Sequence, residues 1–373
     1  MSWVRSRQGI FTVVALLILV IYPLVMPRFW VLSIGSYSII LGIAALSLVF
    51  MSGYGGMVSL AQAALAGFAA YILALATLTP STNATGSAIG FALPPLVGAV
   101  VAVVLTTGLG ALFGAISARS YGTYFLMLTL ALAVGFFYIV LQNYDIFGGH
   151  IGFAGILGPT GQPRENPALF YYICLATAIA AYLGLRYIVR SQLGLTFQGV
   201  RDNPRRMAAL GYRVAAHRIA LFAIAGFVAG LSGVLGAWYR GNVSPGIVDL
   251  SRTIDVLIVA VIGGLGYPIG AFVGAVVFVL MDVFASSISL FGFRFDERFN
   301  TLIGVGFVVI VIVAPDGVVG LANRAWQSAT HRGGGRQRAV DPLAAEAGLL
   351  AAPVATTTIA PSDPAGDVTP FNQ

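Results

Sequence analysis

The chain has 373 residues, of which 58% are hydrophobic and only 9% are charged, and its mean hydropathy is +0.91. Several apolar runs approach the ~20 residues that an α-helix needs to cross a bilayer. This composition excludes a soluble globular protein. It also excludes an outer-membrane barrel, whose strands alternate in polarity, because runs such as 10–26 and 219–238 are continuously apolar.

The positive charge comes entirely from arginine, since the chain has no lysine. The arginines stand at the ends of apolar segments or in one polar stretch, a placement typical of membrane topology signals and not of nucleic-acid binding. Cys174 is the only cysteine, which excludes an intrachain disulfide and a cysteine metal cluster. Walker A, HExxH, GxSxG and haem-binding patterns are absent from the sequence. We therefore predict that this chain has no catalytic site and binds no cofactor or metal.

In chain order, the apolar segments predict an all-α polytopic membrane protein with about ten transmembrane helices. They are placed at 10–27, 31–51, 58–79, 92–117, 121–142, 168–188, 218–240, 254–266, 268–290 and 299–318. The eighth is short and ends in Gly-Gly-Leu-Gly, which predicts a broken or re-entrant segment, and the sequence leaves open whether it spans or re-enters.

Beyond residue 323 the composition shifts to Ala, Pro, Thr and Gly without apolar periodicity. Such a composition cannot bury a hydrophobic core. We therefore predict a transmembrane domain over 1–323 and a disordered cytoplasmic tail over 324–373.

Arginine placement also predicts orientation. If the polar stretch 190–218 is cytoplasmic, the positive-inside rule places Arg5, Arg7, Arg119 and the cluster from Arg324 onward on the same side. The loops on the other side are uncharged or carry acids that balance their arginines. Both termini are therefore expected in the cytoplasm.

Glycines recur at four-residue spacing, which lets helix backbones approach closely in lipid. The sets are Gly110 with Gly114, Gly226 with Gly230, and Gly266 with Gly270 and Gly274. Irregular glycine-rich sequences stand at 53–56, 148–150 and 263–270. They fit either tight packing or exposed backbone that lines a polar cavity, and spacing alone does not decide between the two.

Ionisable groups within apolar segments are few. Asp282 is the deepest acid, it has no evident basic partner in the sequence, and the three histidines lie in loops or in the tail. Proton- or sodium-driven carriers usually hold acids or histidines at mid-membrane. The hypothesis of an ion-coupled carrier is therefore supported by Asp282 alone. A further alternative is a membrane scaffold that transports nothing and is organised by the polar stretch.

The polar stretch 190–218 contains a short predicted helix over 204–210. Asn203 precedes Pro204, an arrangement preferred at a helix start, and Gly211 supplies a stop. Met207 and Leu210, at i and i+3, place two apolar side chains on one face of this helix. The basic side chains of Arg205 and Arg206 project elsewhere. Such a helix would dock on a partner, or would only fix topology and touch anionic lipid.

Six separated blocks carry a family resemblance. They are GYGGMVSLAQAALAGFAAY (53–71), SARSYGTYFLMLTLALA (117–133), FGGHIGFAGI (147–156), GLTFQGVRDNPRRMAALGYRV (194–214) followed by AGFVAGLSGVLGAWY (225–239), GGLGYPIGAFVGA (263–275) and APDGVVG (314–320). In this order, over roughly residues 35–323, the sequence resembles the permease subunits of branched-chain amino acid ABC importers. It is similar to the LivM-type more than to the LivH-type.

The resemblance implies a bacterial inner-membrane importer and a transport subunit that is not itself an enzyme. A second, LivH-like permease would complete the pathway, a pair of ATP-binding subunits would bind ATP and Mg²⁺ below it, and an extracytoplasmic substrate-binding protein would deliver the solute. Membrane lipids would surround the pair. The ATPase-coupling element would comprise Arg201, Asp202, Asn203, Pro204, Arg205, Arg206, Met207, Leu210 and Gly211.

Block position predicts the solute pathway at Ser59, Gln62, Gly148, Gly149 and Asp282. The chain departs from the family pattern near these residues. It has Ala61-Gln62 where the family usually has Gly-His, Phe147 where the family has threonine before the Gly-Gly loop, and Tyr267-Pro268 where the family has Ser-Leu. Related permeases carry urea, amides or aromatic acids, so these solutes stay open beside branched-chain amino acids.

Overall fold

The computed structural model describes residues 17–78, 90–287, 289–290, 293–294, 304 and 317–321, all within the unit Met1–Ala325. The predicted tail over 324–373 and nearly all of the predicted helix 299–318 lie outside these residues. Of the predicted first helix, 10–27, the described part is helical over 17–25.

The described residues form helices joined by short connections. These are α1 (Trp30–Gly55), α2 (Gln62–Thr77), α3 (Pro95–Ser117), α4 (Gly122–Gln142), α5 (Tyr144–Phe147), α6 (Pro167–Arg190), α7 (Gln192–Asp202), α8 (Pro204–Ala209), α9 (Val214–Arg240), α10 (Leu250–Gly263) and α11 (Pro268–Ser287). The first turns of α1, Trp30–Ser36, are π-helical, and a 3₁₀ turn, Pro245–Ile247, precedes α10. Two antiparallel pairs of short strands complete the fold, β1 (Phe153–Ala154) with β2 (Asn242–Val243) and β3 (Ser289–Leu290) with β4 (Phe293–Arg294).

Among the described residues, five helices are long and apolar enough to cross a membrane, namely α1, α3, α4, α6 and α9. They correspond to the predicted segments 31–51, 92–117, 121–142, 168–188 and 218–240. The predicted segment 58–79 is the shorter apolar helix α2, and a bent pair of helices raises the number of spans to six if it is counted as one. The all-α membrane class is confirmed, whereas ten spans are not.

The bent pair joins α10 and α11, which the sequence placed as separate segments. Their axes differ by 115° across a break of a few residues, and Gly264 leaves α10 with a φ of 105°. The two helices touch backbone to backbone, since a Cβ on Gly263 would collide with the carbonyl of Gly270 and a Cβ on Gly274 with that of Val259. The predicted broken segment is confirmed.

The predicted glycine contact at this break is partly wrong. Gly270 and Gly274 make close contacts, but nothing lies within 4 Å of the Cβ position of Gly266. Gly266 lies in the break, where the four-residue helical spacing no longer holds. The glycine that packs closely against Gly270 is Gly263 instead.

Helix α1 is the centre of the bundle, because 89% of its most apolar window is buried. By contrast, only 33% of the corresponding window of α3 and 28% of that of α4 are buried. Their outer faces carry large exposed apolar side chains such as Leu112, Tyr124 and Met127. Apolar faces of this kind suit contact with lipid or with another apolar subunit.

Helices α3 and α9 pack through the predicted glycines. A Cβ on Gly110 would lie 2.8 Å from the carbonyl oxygen of Phe222 and 3.2 Å from the Cα of Gly226. A Cβ on Gly114 would lie 3.0 Å from the Cα of Ile219. Small residues at a helix interface allow this close approach, so the prediction for Gly110, Gly114 and Gly226 is confirmed.

Helix α9 defines the two ends of the bundle. Its 27 residues give it a length of ~40 Å at a rise of about 1.5 Å per residue. Helices α7 and α8 lie just before its first residue, and β2 follows its last. We refer to these ends as the loop end and the strand end.

Replacing Gly110 by leucine should destabilise the fold by about 3 kcal/mol, because the added atoms meet the backbone of α9, which cannot yield as a flexible side chain can. Gly108 lies in the same helix with nothing within 4 Å of its Cβ position, so Gly108→Leu is the matched control. Thermal unfolding of the two purified variants measures the difference, and equal stabilities would contradict the packing described for α3 and α9.

Candidate functional site

The polar stretch 190–218 is more helical than the sequence analysis predicted. Helix α7 precedes the predicted short helix and was not anticipated. Its Phe197 and Val200 are buried, and the Phe197 ring lies edge-on to that of Phe50 in α1, with centroids 6.4 Å apart. The spacing of Gly194, Phe197 and Val200 is the amphipathic signal that identifies α7.

Helix α8 begins at Pro204 as predicted and ends one residue before the predicted Leu210. The side-chain oxygen of Asn203 accepts a hydrogen bond of 2.9 Å from the backbone N–H of Arg206, which caps the first turn. At the other end, Gly211 has a φ of 87°, and the N–H of Tyr212 donates to the carbonyl of Met207 at 3.1 Å. The helix proper ends at Ala209.

The predicted shared face of Met207 and Leu210 is wrong. Met207 folds back onto α7, where a Cβ on Gly199 would lie 2.8 Å from its sulfur. Leu210 is 66% exposed, and Arg205 and Arg206 are also exposed. The reason is that α7 offers Met207 a glycine-lined surface, while Leu210 has already left the helix as its C-cap. Met207 therefore fixes α8 to α7, and Leu210 and the two arginines face outward.

Arg201 points inward, towards the end of α1. Its guanidinium donates a hydrogen bond to the carbonyl of Gly53. Its side chain packs on Gly56, which ends α1 with a φ of 64° and whose Cβ would lie 2.6 Å from the Arg201 Cγ. Asp202 lies 3.5 Å from the Arg201 guanidinium and is largely exposed. Arg201, together with the buried Phe197 ring on Phe50, therefore ties the polar stretch to the central helix.

The same end of α1 touches the break between α10 and α11. The Ser52 hydroxyl lies 3.3 Å from the carbonyl oxygen of Val49 in its own helix and 3.4 Å from that of Leu265, and it shares its hydrogen bond between the two. A Cβ on Gly53 would lie 3.2 Å from the Leu265 oxygen. We call this group of residues the loop junction: Ser52, Gly53, Gly56, Arg201 and Leu265. It places the polar stretch, the central helix and the break between α10 and α11 in direct contact.

The glycine-rich sequence 53–56 is part of this packing. Besides Gly53 and Gly56, Gly55 lies against the Leu221 side chain of α9. For this sequence, the structure therefore favours tight packing over exposed backbone that lines a polar cavity.

Two of the predicted pathway residues lie near the loop end and are bonded inside the subunit. Ser59 and Gln62 are buried. The Gln62 side-chain oxygen accepts a hydrogen bond of 3.0 Å from the Ser47 hydroxyl, and the Ser59 hydroxyl oxygen accepts from the N–H of Ala61 at 3.2 Å. These bonds satisfy both side chains within the fold.

The other predicted pathway residues lie towards the strand end. Gly148 and Gly149 have φ values of 72° and 55° and lead into β1, which pairs with β2. Asp282 is half-buried in α11. The structure therefore does not bring the predicted pathway residues together.

Arg252 organises a polar cluster that the sequence analysis missed. Its guanidinium donates to the hydroxyl of Tyr37 and to the carboxylate of Asp255, each at 3.2 Å. Tyr37 in turn stacks on Tyr239 with ring centroids 5.7 Å apart. The cluster joins α1, at the residue that follows its π-helical turns, and the beginning of α10 to the last turn of α9. The i, i+3 spacing of Arg252 and Asp255 was the available signal.

Arg218 is the second missed residue. It is only 7% exposed, and its guanidinium donates to the carbonyls of Ala118 and Ser120 at 2.9 and 3.1 Å. It also lies 4.0 Å from the centroid of the Tyr121 ring, a cation–π distance. Arg218 thereby fixes the start of α9 to the α3–α4 connection, about a hundred residues away in sequence, so local spacing gave no signal for it.

These features define a class of protein. The chain is a multi-pass, α-helical membrane protein, and its polar stretch 190–218 contacts the end of its central helix beside the break between α10 and α11. Its residues 30–314 match the family model described as "Branched-chain amino acid transport system / permease component". The chain belongs to this family, as the sequence resemblance predicted.

Individual relatives agree with the family. The chain is 22% identical over 338 residues to the high-affinity branched-chain amino acid transport system permease protein LivM of Escherichia coli, with 84% of this chain and 75% of the relative covered. It is 28% identical over 262 residues to the probable branched-chain amino acid transport permease protein LivM of Methanocaldococcus jannaschii, with 65% and 75% covered. No solved structure matches the chain significantly. These relatives confirm the LivM-type resemblance, and the permease family confirms a transport subunit that is not an enzyme.

Removing the Asn203 cap should unravel the start of α8, because the Arg206 N–H then loses its acceptor. Asn203→Ala should cost about 1 kcal/mol locally and speed amide hydrogen exchange over 204–210 several-fold. Asn203→Asp keeps an acceptor oxygen and is the control that should exchange as the wild type does. Unchanged exchange in Asn203→Ala would contradict the capping role.

Proposed function

We propose that this chain is one permease subunit of an ATP-binding-cassette importer for branched-chain amino acids. A second, LivH-like permease forms the pathway with it, and a pair of ATP-binding subunits attaches at the loop end. An extracytoplasmic receptor delivers the solute at the strand end. The protein lies in a bacterial inner membrane with the loop end and both termini in the cytoplasm.

The loop junction carries this proposal. An importer permease must receive a mechanical signal from a soluble ATPase and pass it to the helices that enclose the pathway. Leu210, Arg205 and Arg206 face outward from the polar stretch, where another protein can reach them. Arg201 faces inward to Gly53, beside the bond from Ser52 to Leu265 at the broken span. The polar stretch therefore has an outer surface for docking and an inner bond for transmission.

The arginine distribution supports the orientation. Arg190, Arg201, Arg205, Arg206 and Arg213 all lie in or beside α7 and α8, and cytoplasmic segments carry such an excess. At the strand end, the arginines Arg240 and Arg252 are accompanied by Asp249 and Asp255.

The solute assignment rests on the relatives. The names of these relatives specify branched-chain amino acids, and urea, amides and aromatic acids are the alternatives within the same importer class. Gln62, one of the departures from the family pattern, is buried and bonded to Ser47, so its replacement of histidine does not favour another solute. Uptake by the importer reconstituted with its receptor, tested with leucine, urea, an aliphatic amide and phenylalanine, distinguishes the four classes.

Two substitutions separate docking from transmission. Leu210→Glu places a charge on the exposed docking surface and should abolish binding of the ATP-binding subunits. Arg201→Gln should leave that binding intact but lower transport per ATP hydrolysed by about tenfold, because the bond from the polar stretch to α1 is weakened. Co-purification of the subunits, ATPase rate and uptake in proteoliposomes are the three measurements.

The control is Arg213→Gln, which removes an exposed arginine from the same polar stretch but belongs neither to the docking surface nor to the loop junction. It should retain binding, and its transport per ATP should match that of the wild type. Retained ATPase binding in Leu210→Glu would refute the docking surface. Wild-type coupling in Arg201→Gln would refute transmission through the junction.

A further inference from the structure

A cavity of about 80 Å³ lies at the strand end, between α1, α2, α9 and α10. Polar side chains surround its mouth, where α9 ends and α10 begins, and they are Tyr37, Tyr239, Arg240 and Arg252. One to two turns further into the bundle the walls are apolar, and they include Ile40, Leu41, Ala44, Ala66 and Val256. The cavity therefore changes from cationic at its mouth to apolar inside.

Two glycines of α9 distinguish close packing from open space at this cavity. A Cβ on Gly233 would collide with the carbonyl of Ala66 in α2, so Gly233 is needed for the two helices to meet. Gly236 follows one turn later and lines the cavity, and a Cβ there would meet only the side chain of Ile40, at 3.7 Å. Ala66 and Gly236 both keep part of their surface exposed. The apolar part of the cavity therefore has free surface for a ligand.

The two arginines at the mouth have donors to spare. Arg252 bonds Tyr37 and Asp255 through the same nitrogen, Nη1, and a guanidinium has further N–H donors on Nη2 and Nε. Its side chain is partly exposed. Arg240 is exposed, and among the residues that the structure describes it has neither an ion-pair nor a hydrogen-bond partner. Both guanidinium groups can therefore bind an anion such as a carboxylate.

The mouth also holds an acceptor for a cation. Asp255 lies one turn beyond Arg252 in α10 and accepts the bond from that arginine through Oδ2, which leaves Oδ1 for another donor. The Asp255 side chain is partly exposed. A site for an anion and a site for a cation thus lie side by side, next to an apolar space.

A ligand must supply two charges and an apolar group to use the whole cavity. An α-amino acid carries its carboxylate and its ammonium on one carbon atom, and its side chain leaves from that same atom. A simple carboxylate or an inorganic anion would leave Asp255 unused, and an amine would leave the arginines unused. A cavity of about 150 Å³ holds benzene. The volume of about 80 Å³ here therefore suits a small branched side chain and excludes an aromatic ring.

We propose that this cavity binds a branched-chain amino acid on its way into the bundle. The carboxylate lies on Arg240 and Arg252, and the ammonium lies on Asp255. The aliphatic side chain enters the apolar space beside Gly236. The choice of amino acid rests on the proposed importer function, in which the receptor releases its solute at this same end. The permease then adds a selection by side-chain size to the selection made by the receptor.

The test places one thiol in the cavity. Gly236→Cys, in a full-length chain with Cys174→Ala, is purified in detergent, and its labelling by a negatively charged methanethiosulfonate reagent is followed by mass spectrometry. Leucine at ten times its dissociation constant should slow the labelling roughly tenfold, because only the unoccupied cavity reacts. Phenylalanine and glycine should slow it little at the same concentration, since the first is too large and the second leaves the apolar space empty.

Charge variants in the same background test the mouth of the cavity. Arg240→Gln and Asp255→Asn should each raise the leucine concentration that protects the thiol about tenfold, which corresponds to the loss of one charged hydrogen bond. Arg240→Lys keeps the charge and should keep most of the protection. Arg213→Gln removes an exposed arginine at the loop end, and leucine should protect it as it protects the background chain.

Filling the cavity tests its role in transport. In the reconstituted importer, Gly236→Leu should abolish leucine uptake, because its side chain occupies the apolar space. The matched control is Gly108→Leu, which adds the same atoms at a position with nothing within 4 Å of its Cβ and should retain uptake. Both variants should still bind the ATP-binding subunits, which attach at the loop end.

The outcomes separate this proposal from the importer function. A wild-type assembly that takes up no branched-chain amino acid, while leucine still protects the thiol, would refute import and leave the cavity as an amino acid site. Normal uptake by the wild type and by Gly236→Leu alike would overturn the proposal. It would also be overturned if phenylalanine protected as well as leucine, or if leucine left the thiol of Gly236→Cys unprotected.

Discussion

The bond from the Arg201 guanidinium to the carbonyl of Gly53 joins the polar stretch to the centre of the bundle. Its acceptor lies where α1 ends, and the carbonyls in the last turn of a helix have no intrahelical partner. A cation there satisfies one of them and interacts favourably with the helix dipole. Gly56 is required beside it, because a Cβ would strain a φ of 64° and collide with the arginine side chain. An exposed, charged segment is in this way anchored to a helix that is almost wholly buried.

The broken span depends on the same point. Where a helix breaks inside a membrane, its free backbone N–H and C=O groups need hydrogen-bond partners from neighbouring protein. For the carbonyl of Leu265, that partner is the hydroxyl of Ser52, the residue before Gly53 in α1. The close contact of Gly263 with Gly270 leaves room for the chain to turn, and Gly317, from the last described segment, packs against Gly264. Together these contacts hold the break at the loop end. The proposed coupling uses this arrangement, since an ATPase that moves α7 and α8 also moves the tip of α10 and α11.

Local rules predicted the local features. The apolar runs gave five spans, Asn203-Pro204 and Gly211 gave the ends of α8, and four-residue spacing gave the contact of Gly110 with Gly226. Features that depend on distant parts of the chain were not predictable. Arg201 meets Gly53 across 148 residues, and Met207 turns inward because α7, a helix whose periodicity the sequence did contain, offers it Gly199. The predicted pathway residues lie towards both ends of the bundle, because block order in a sequence does not specify which helix faces meet, and their role in a pathway stays a prediction.

In the proposed coupling, α7, α8 and the break move as one body through the loop junction. Spin labels on Arg205→Cys and Tyr267→Cys, in a background with the single buried cysteine Cys174 replaced by alanine, report the distance between them by electron paramagnetic resonance. In the assembled importer that distance should be the same with and without bound ATP, and Arg201→Gln should make it change with nucleotide. If the distance changes with nucleotide as much in the protein that keeps Arg201 as in Arg201→Gln, these elements do not move as one body.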